Sequence, residues 1–144
     1  MKFSHQNFIF FTLLISCLSA TNAADLKVNI IGVTTDNGPV GCSLYNSENG
    51  FPMDGSKGIQ HWVAPDSTKV MCEYKDLTAG KYAVSVMQDN NSNKKVDTNI
   101  LGIPKEPWGV SNNVRPSFRP PKFIEAAFTI QDDGVNNIQV EIAK

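Results

Sequence analysis

The sequence predicts an all-β protein, an antiparallel β-sandwich of six to seven strands with one long ordered loop. Three observations carry this. Short stretches of strict apolar–polar alternation recur along the chain, as half-buried strands require. They are separated by clusters of Asn, Asp, Gly, Ser and Pro, the residues of turns. Beyond the first 23 residues, no window keeps an apolar period of 3.6 over a helix length, so packed helices are not expected.

Residues 1–23 read as a signal peptide. A polar head with Lys2 precedes the apolar run FIFFTLLISCL, and the small-residue stretch SATNAA follows. This three-part layout places cleavage after Ala23. A run of about 11 residues is well short of the roughly 20 needed to span a bilayer as a helix. Leu14-Ile15-Ser16-Cys17 also resembles the lipobox of bacterial lipoproteins, so a lipid anchor at Cys17 is the alternative. Mass spectrometry of the mature N-terminus separates the two. The expected location is periplasmic or extracellular, with no transmembrane segment after signal removal.

Residues 24–144 are expected to form one sandwich domain. At this size a chain buries roughly two-thirds of its unfolded surface and needs no metal to fold. The chain has 13 Lys and Arg against 14 Asp and Glu, and removing residues 1–23 takes away only Lys2. A near-neutral domain of this kind lacks the basic face of a nucleic-acid binder. Two cysteines remain, Cys42 and Cys72. An even number in an oxidising compartment points to a Cys42–Cys72 disulfide, with buried free thiols as the other reading.

The strands follow in order. In residues 26–33, Leu26, Val28 and Ile30 share a face; in 39–45, Val40, Cys42 and Leu44 do. Asn37-Gly38 between them is a hairpin signal. Residues 46–58 read as a loop and 59–63 as a short edge strand. Residues 68–74 align Val70, Cys72 and Tyr74, and the next strand aligns Tyr82, Val84 and Val86. Near the C-terminus, Ile124, Ala126, Phe128 and Ile130 line one face, and Ile138, Val140 and Ile142 another. The DDGVNN between them is expected to be a hairpin connection. Leu77-x-x-Gly80-x-Tyr82 resembles the corner of immunoglobulin-like and prealbumin-like sandwiches, a feature too widespread to indicate activity.

Residues 89–122 form a long connection with no strand pattern, and such loops are often functional. Six of the 12 Asn beyond residue 23 lie between Asn90 and Asn113. Asn tolerates left-handed backbone and bonds its own main chain, so a folded chain of turns is expected. The run KYAVSVMQDNNSNKKVDTNILGIPKEPWGVSNN closely resembles the hallmark of an exported bacterial family, domain of unknown function 2141. That pattern runs YAVSVxHDxNxNGKLDTNxxGxPxEGxGFSNN. The match is dense from Tyr82 to Asn113 and weaker in the first two strands and in Ser117-Phe118 and Ala126-Ala127-Phe128. Two departures matter: Gln88 stands where the family has His, and Lys94 where it has Gly. The resemblance implies a secreted β-sandwich and no particular activity.

Several residues of this stretch carry chemistry. Asp89, Asn91, Asn93, Lys95 (through its carbonyl) and Asp97 fall at positions 1, 3, 5, 7 and 9 of a calcium-loop frame. Position 6 is Lys94 rather than Gly, and position 12 is Ile100 rather than Glu. Asx-turns using the same side chains are the competing reading. No cofactor is required; calcium, held weakly, is the one the frame could take. Glu106, Trp108, Asn112 and Asn113 form a candidate binding surface, with Trp108 set between Pro107 and Gly109 to stack on a glycan or pack against an envelope or extracellular protein. A Trp folded back onto the sandwich is the other reading. Arg115, Arg119 and Lys122 lie among three prolines in an extended connector.

An enzyme is not the first expectation. His61 is the only His beyond residue 23, and no G-x-S-x-G elbow occurs. A hydrolase of envelope polymers using Glu106 and Asp97 is the alternative, and it calls for both carboxylates in a deep cleft. The sequence thus points to an exported, non-catalytic binding or structural module whose working surface is residues 89–113.

Overall fold

The computed structural model describes residues 23–131 and 134–144. All of the expected leader except Ala23 lies outside them, Cys17 included. Eight strands form: β1 (Ala24–Ile31), β2 (Val40–Tyr45), β3 (Ile59–Val63), β4 (Lys69–Leu77), β5 (Gly80–Gln88), β6 (Trp108–Val110), β7 (Phe128–Ile130) and β8 (Val135–Glu141). A four-residue helical turn, α1 (Phe123–Ala126), precedes β7. One sheet has the order β4-β1-β8. The other runs β3-β2-β5-β6, with β7 also paired to β5.

The alternation dictates the core. Leu26, Val28 and Ile30 of β1 and Val40, Cys42 and Leu44 of β2 are buried together with Cys72, Tyr74, Val84, Val86 and Val140. These are the inward positions of two facing sheets, and each such side chain contributes roughly 1.5–3 kcal/mol by leaving water. Cys42 and Cys72 are bonded, joining β2 of one sheet to β4 of the other with Cα atoms 6.6 Å apart. The Tyr82 hydroxyl donates to the Thr78 carbonyl at 3.0 Å, which fastens the β4–β5 corner.

Several expectations need correction. Strands β1 and β8 pair in parallel, so the sandwich is not wholly antiparallel. Asn37-Gly38 does not close a hairpin, because β1 and β2 lie in different sheets. The same holds for the connection between β7 and β8. Ile124 is exposed rather than inward. There the Glu125 carboxylate accepts from the Lys122 N–H at 2.8 Å, residues 123–126 wind into a helical turn, and a helical period replaces the strand period. Finally, β6 interrupts the connection that was expected to be free of strands. No helix among the described residues is long and apolar enough to cross a membrane.

Candidate functional site

The site is built on the outer face of the second sheet. Alternation that sends Cys42 and Val86 inward sends Gly41, Ser43 and Tyr45 of β2 outward, with Ala83, Ser85 and Met87 of β5 beside them. One half of this face is covered. Tyr45 meets Phe51 edge-on at 5.4 Å, and Phe51 meets Phe123 at 6.0 Å. Ala83, Val110 and Ala126 are buried in the same cluster. The other half, floored by Gly41, Ser43, Ser85 and Met87, opens into a cavity of about 770 Å³. Ligand sites commonly have this size. Gly41 is required there: a Cβ would stand 2.7 Å from the ring of Trp62, which lies across it.

Three loop segments wall the cavity besides residues 52–56. The first is 94–96, the end of the Asn-rich loop. Asp89, fully buried, accepts from the Asn93 amide N–H at 3.1 Å and the Lys94 N–H at 2.6 Å. Asn91 and Asn93 accept from the N–H groups of Asn93 and Lys95 at 3.1 and 2.8 Å. The second wall, 101–104, belongs to a hairpin-like excursion. In it the Lys105 N–H donates to the Asp97 carbonyl at 2.8 Å, and the Asn99 side chain accepts from Leu101 and Ile103 at 2.9 and 3.0 Å. The long loop is therefore an ordered chain of turns.

The third wall, 116–121, is held by one charged clamp. Arg119 donates two parallel bonds to Glu125 at 2.6 and 2.9 Å, and Glu125 also accepts from the Lys122 N–H at 2.8 Å. Arg119 first, then that backbone bond, hold the Glu125 carboxyl at a pKa of about 2. A lowered carboxylate pKa means the clamp is complete above the ordinary carboxylate range and is lost as pH falls towards 2. Glu125→Gln is expected to loosen this wall at neutral pH. Proteolysis at residues 116–121 should then speed up several-fold with little change in melting, because the pair is exposed; unchanged proteolysis would refute it.

The four residues of the candidate binding surface separate. Trp108 is half-buried and lines the cavity, and the Arg115 guanidinium stacks on its ring at 4.5 Å. Its backbone exchanges two hydrogen bonds of 3.1 Å with Ala143, bridging the sheets. Asn112 donates to the carbonyls of Glu125 and Ala127 at 3.2 and 3.1 Å, and Asn113 accepts from the Glu141 N–H at 2.9 Å. Glu106 is buried and accepts from the Asn90 N–H at 2.8 Å, while its second oxygen has no hydrogen-bond partner among the described residues. Neither Glu106 nor Asp97 is among the residues lining the cavity. His61 packs on the Tyr74 ring at 4.6 Å.

Three of the calcium-frame residues, Asn91, Asn93 and Asp97, meet through their side chains. Asp97 accepts from the side-chain amides of Asn91 and Asn93 at 2.6 and 2.9 Å. Lys94, where the frame uses Gly, has φ of 58°. Among the described residues no three His, Cys, Asp or Glu side chains gather as a metal-ligand group. The loop brings two carboxylates, and its other oxygens are amide and carbonyl.

The cavity itself was missed in the sequence. Its signal was the presence of small residues, Gly41, Ser43 and Ser85, at the outward positions of central strands. The apolar Leu101, Ile103 and Phe118 in turn segments were a second signal.

The sequence model of a family described as "uncharacterized protein conserved in bacteria (DUF2141)" matches residues 28–139. No curated protein and no solved structure matches the chain.

Proposed function

The chain belongs to that bacterial family, and from this premise we propose that it is an exported, non-catalytic binding module whose ligand site is the cavity on the outer face of the second sheet. The observation that carries the reading is the half-covered face itself. Aromatic side chains seal one end, and ordered loops stand around the other without filling it. Residues 89–113 act as its working surface by supplying two of the walls and Trp108. A disulfide within the domain supports an oxidising, exported setting. Neutral N-phenylnaphthylamine, which fluoresces on entering apolar sites, is the probe. It is expected to bind one per chain, and Ser85→Trp, which fills the floor from an outward position, is expected to abolish binding without lowering stability. An unbound probe, or binding indifferent to Ser85→Trp, would overturn the reading.

A second reading concerns the loop rather than the cavity, and the convergence of Asn91 and Asn93 on Asp97 favours it. Turning the two amides by half a rotation would present oxygens in place of nitrogens beside Asp97, at the cost of the bonds their oxygens now accept from the Asn93 and Lys95 N–H groups. With few carboxylates the affinity belongs on the order of 10⁻⁴–10⁻³ M. About 5 mM calcium would then stabilise the domain by about 1–2 kcal/mol, a rise in Tm of about 4–9 °C. Titration calorimetry without heat, together with an unchanged Tm, would remove this reading.

A further inference from the structure

On the reading that the cavity is the ligand site, we infer that its occupant is a single-chain amphiphile, an apolar alkyl or acyl body carrying one anionic head. The first argument is the lining. Met53, Met87, Val96, Leu101, Ile103 and Phe118 present hydrocarbon to the cavity. Leu101 is 77% exposed and Phe118 fully exposed, so these walls face water. Clustered exposed apolar side chains mark a surface that something else covers. Some of the polar groups of the floor and of the 52–56 wall are already engaged. Ser43 Oγ lies 3.5 Å from the Gln60 amide, and Ser56 Oγ donates to Asp54 at 2.6 Å. A sugar would bring a hydroxyl on nearly every carbon and leave many of them unpaired against these walls, which is costly. A hydrocarbon chain carries no such penalty.

The second argument is charge. Lys94 and Lys95 both line the cavity, and neither forms an ion pair among the described residues. The Lys94 ammonium lies 6.0 Å from the centre of the Trp62 ring, and that ring lies across Gly41. This places a free positive charge at the Gly41 end of the floor. Arg119, the third cation of the lining, is bound to Glu125. The sole acidic lining residue, Asp54, belongs to the separate 52–56 wall, where it accepts from the Ser56 N–H at 3.1 Å. An anionic head at the lysines therefore lets an alkyl body run along the floor towards Tyr45 and Phe51, where the aromatic cluster closes the face.

The test is displacement of N-phenylnaphthylamine from the domain by octyl, decyl and dodecyl sulfate, with the matching alkyl alcohols and maltose as comparisons, all below micelle formation. Affinity is expected to rise about fourfold for each added methylene. Each sulfate is expected to bind about fivefold tighter than its alcohol at low salt. Lys94→Gly combined with Lys95→Ala should erase that fivefold preference, read as the ratio of sulfate to alcohol affinity. Lys94→Gly suits the left-handed backbone there, so the pair is expected to fold; circular dichroism melting checks this. Equal binding of sulfate and alcohol, no dependence on chain length, or displacement by maltose alone would overturn the amphiphile while leaving the cavity as a ligand site. If the naphthylamine itself fails to bind, or binds regardless of Ser85→Trp, both proposals fall.

Discussion

Replacing Cys42 and Cys72 together by alanine is expected to lower the stability of the domain by roughly 3–4 kcal/mol. The bond closes a loop with a sequence separation of 30. Removing it returns that loop's freedom to the unfolded chain, which by the chain-entropy relation amounts to about 3.6 kcal/mol. The position of the bond adds to its effect. Cys42 lies between His61 and Val86 in the second sheet, and Cys72 pairs with Val28 in the first. The bond thus ties the two layers within the buried core, from the edge strand β4 to β2. For a domain of this size the corresponding fall in Tm is roughly 10–15 °C. Calorimetry of the variant, beside the unmodified protein with and without reductant, is the measurement. Reduction and double substitution should agree within a few degrees. A change below about 3 °C in both would mean that the sheets hold together by burial alone.

The inward faces were legible in the sequence because alternation is a local property. Leu26, Val28 and Ile30, or Val70, Cys72 and Tyr74, identify a buried side whatever strand lies next to them. Pairing was not legible for the same reason. Nothing local in Asn37-Gly38 says that β2 leaves the sheet of β1, or that β8 returns to run parallel to it. Ile124 was misassigned because Ala126, Phe128 and Ile130 share its parity, and the Glu125 carboxylate that accepts from the Lys122 N–H is a side-chain event that alternation does not register. In the site, the Asn-rich loop was readable as ordered, since Asn and Asp at such spacing satisfy their own backbone. The fates of its polar residues were not. Asn112 and Asn113 reach α1 and β8, distant in sequence, and Glu106 reaches back to Asn90. A cavity floor made of small outward residues leaves almost no trace in one sequence, because Gly and Ser on a strand's outer face also suit open solvent.

The order of that loop rests most heavily on Asp89, and Asp89→Ala is expected to cost about 2–4 kcal/mol and to abolish naphthylamine binding. The carboxylate is fully buried and its two oxygens accept from Asn93 and Lys94 at 3.1 and 2.6 Å. Hydrogen bonds to a charged acceptor are worth about 1.5–3 kcal/mol each, and their loss leaves the two N–H groups without a partner. The base of the loop is fixed independently. The Asp89 N–H donates to the Pro39 carbonyl at 2.8 Å, and Gly38 allows the close approach, since a Cβ there would stand 1.8 Å from the Asp89 carbonyl oxygen. The substitution should therefore free residues 90–96 and leave β5 and the core intact. Lys94, held at a left-handed φ of 58°, relaxes once its bond is gone. As it relaxes, the wall at 94–96 moves off the cavity, which links loop order to binding. Asp89→Asn should fall between the two, because one amide oxygen can accept one of the bonds while its NH₂ faces the other donor. Lys94→Gly should raise stability by about 1 kcal/mol, since it removes the strain and keeps the N–H. Urea unfolding gives the energies, and hydrogen exchange at Asn93 and Lys94 gives the loop. If Asp89→Ala unfolds within about 0.5 kcal/mol of the parent with both amides still protected, the loop is held by its asparagines instead. The cavity wall would then have to be credited to Asn91, Asn93 and their grip on Asp97.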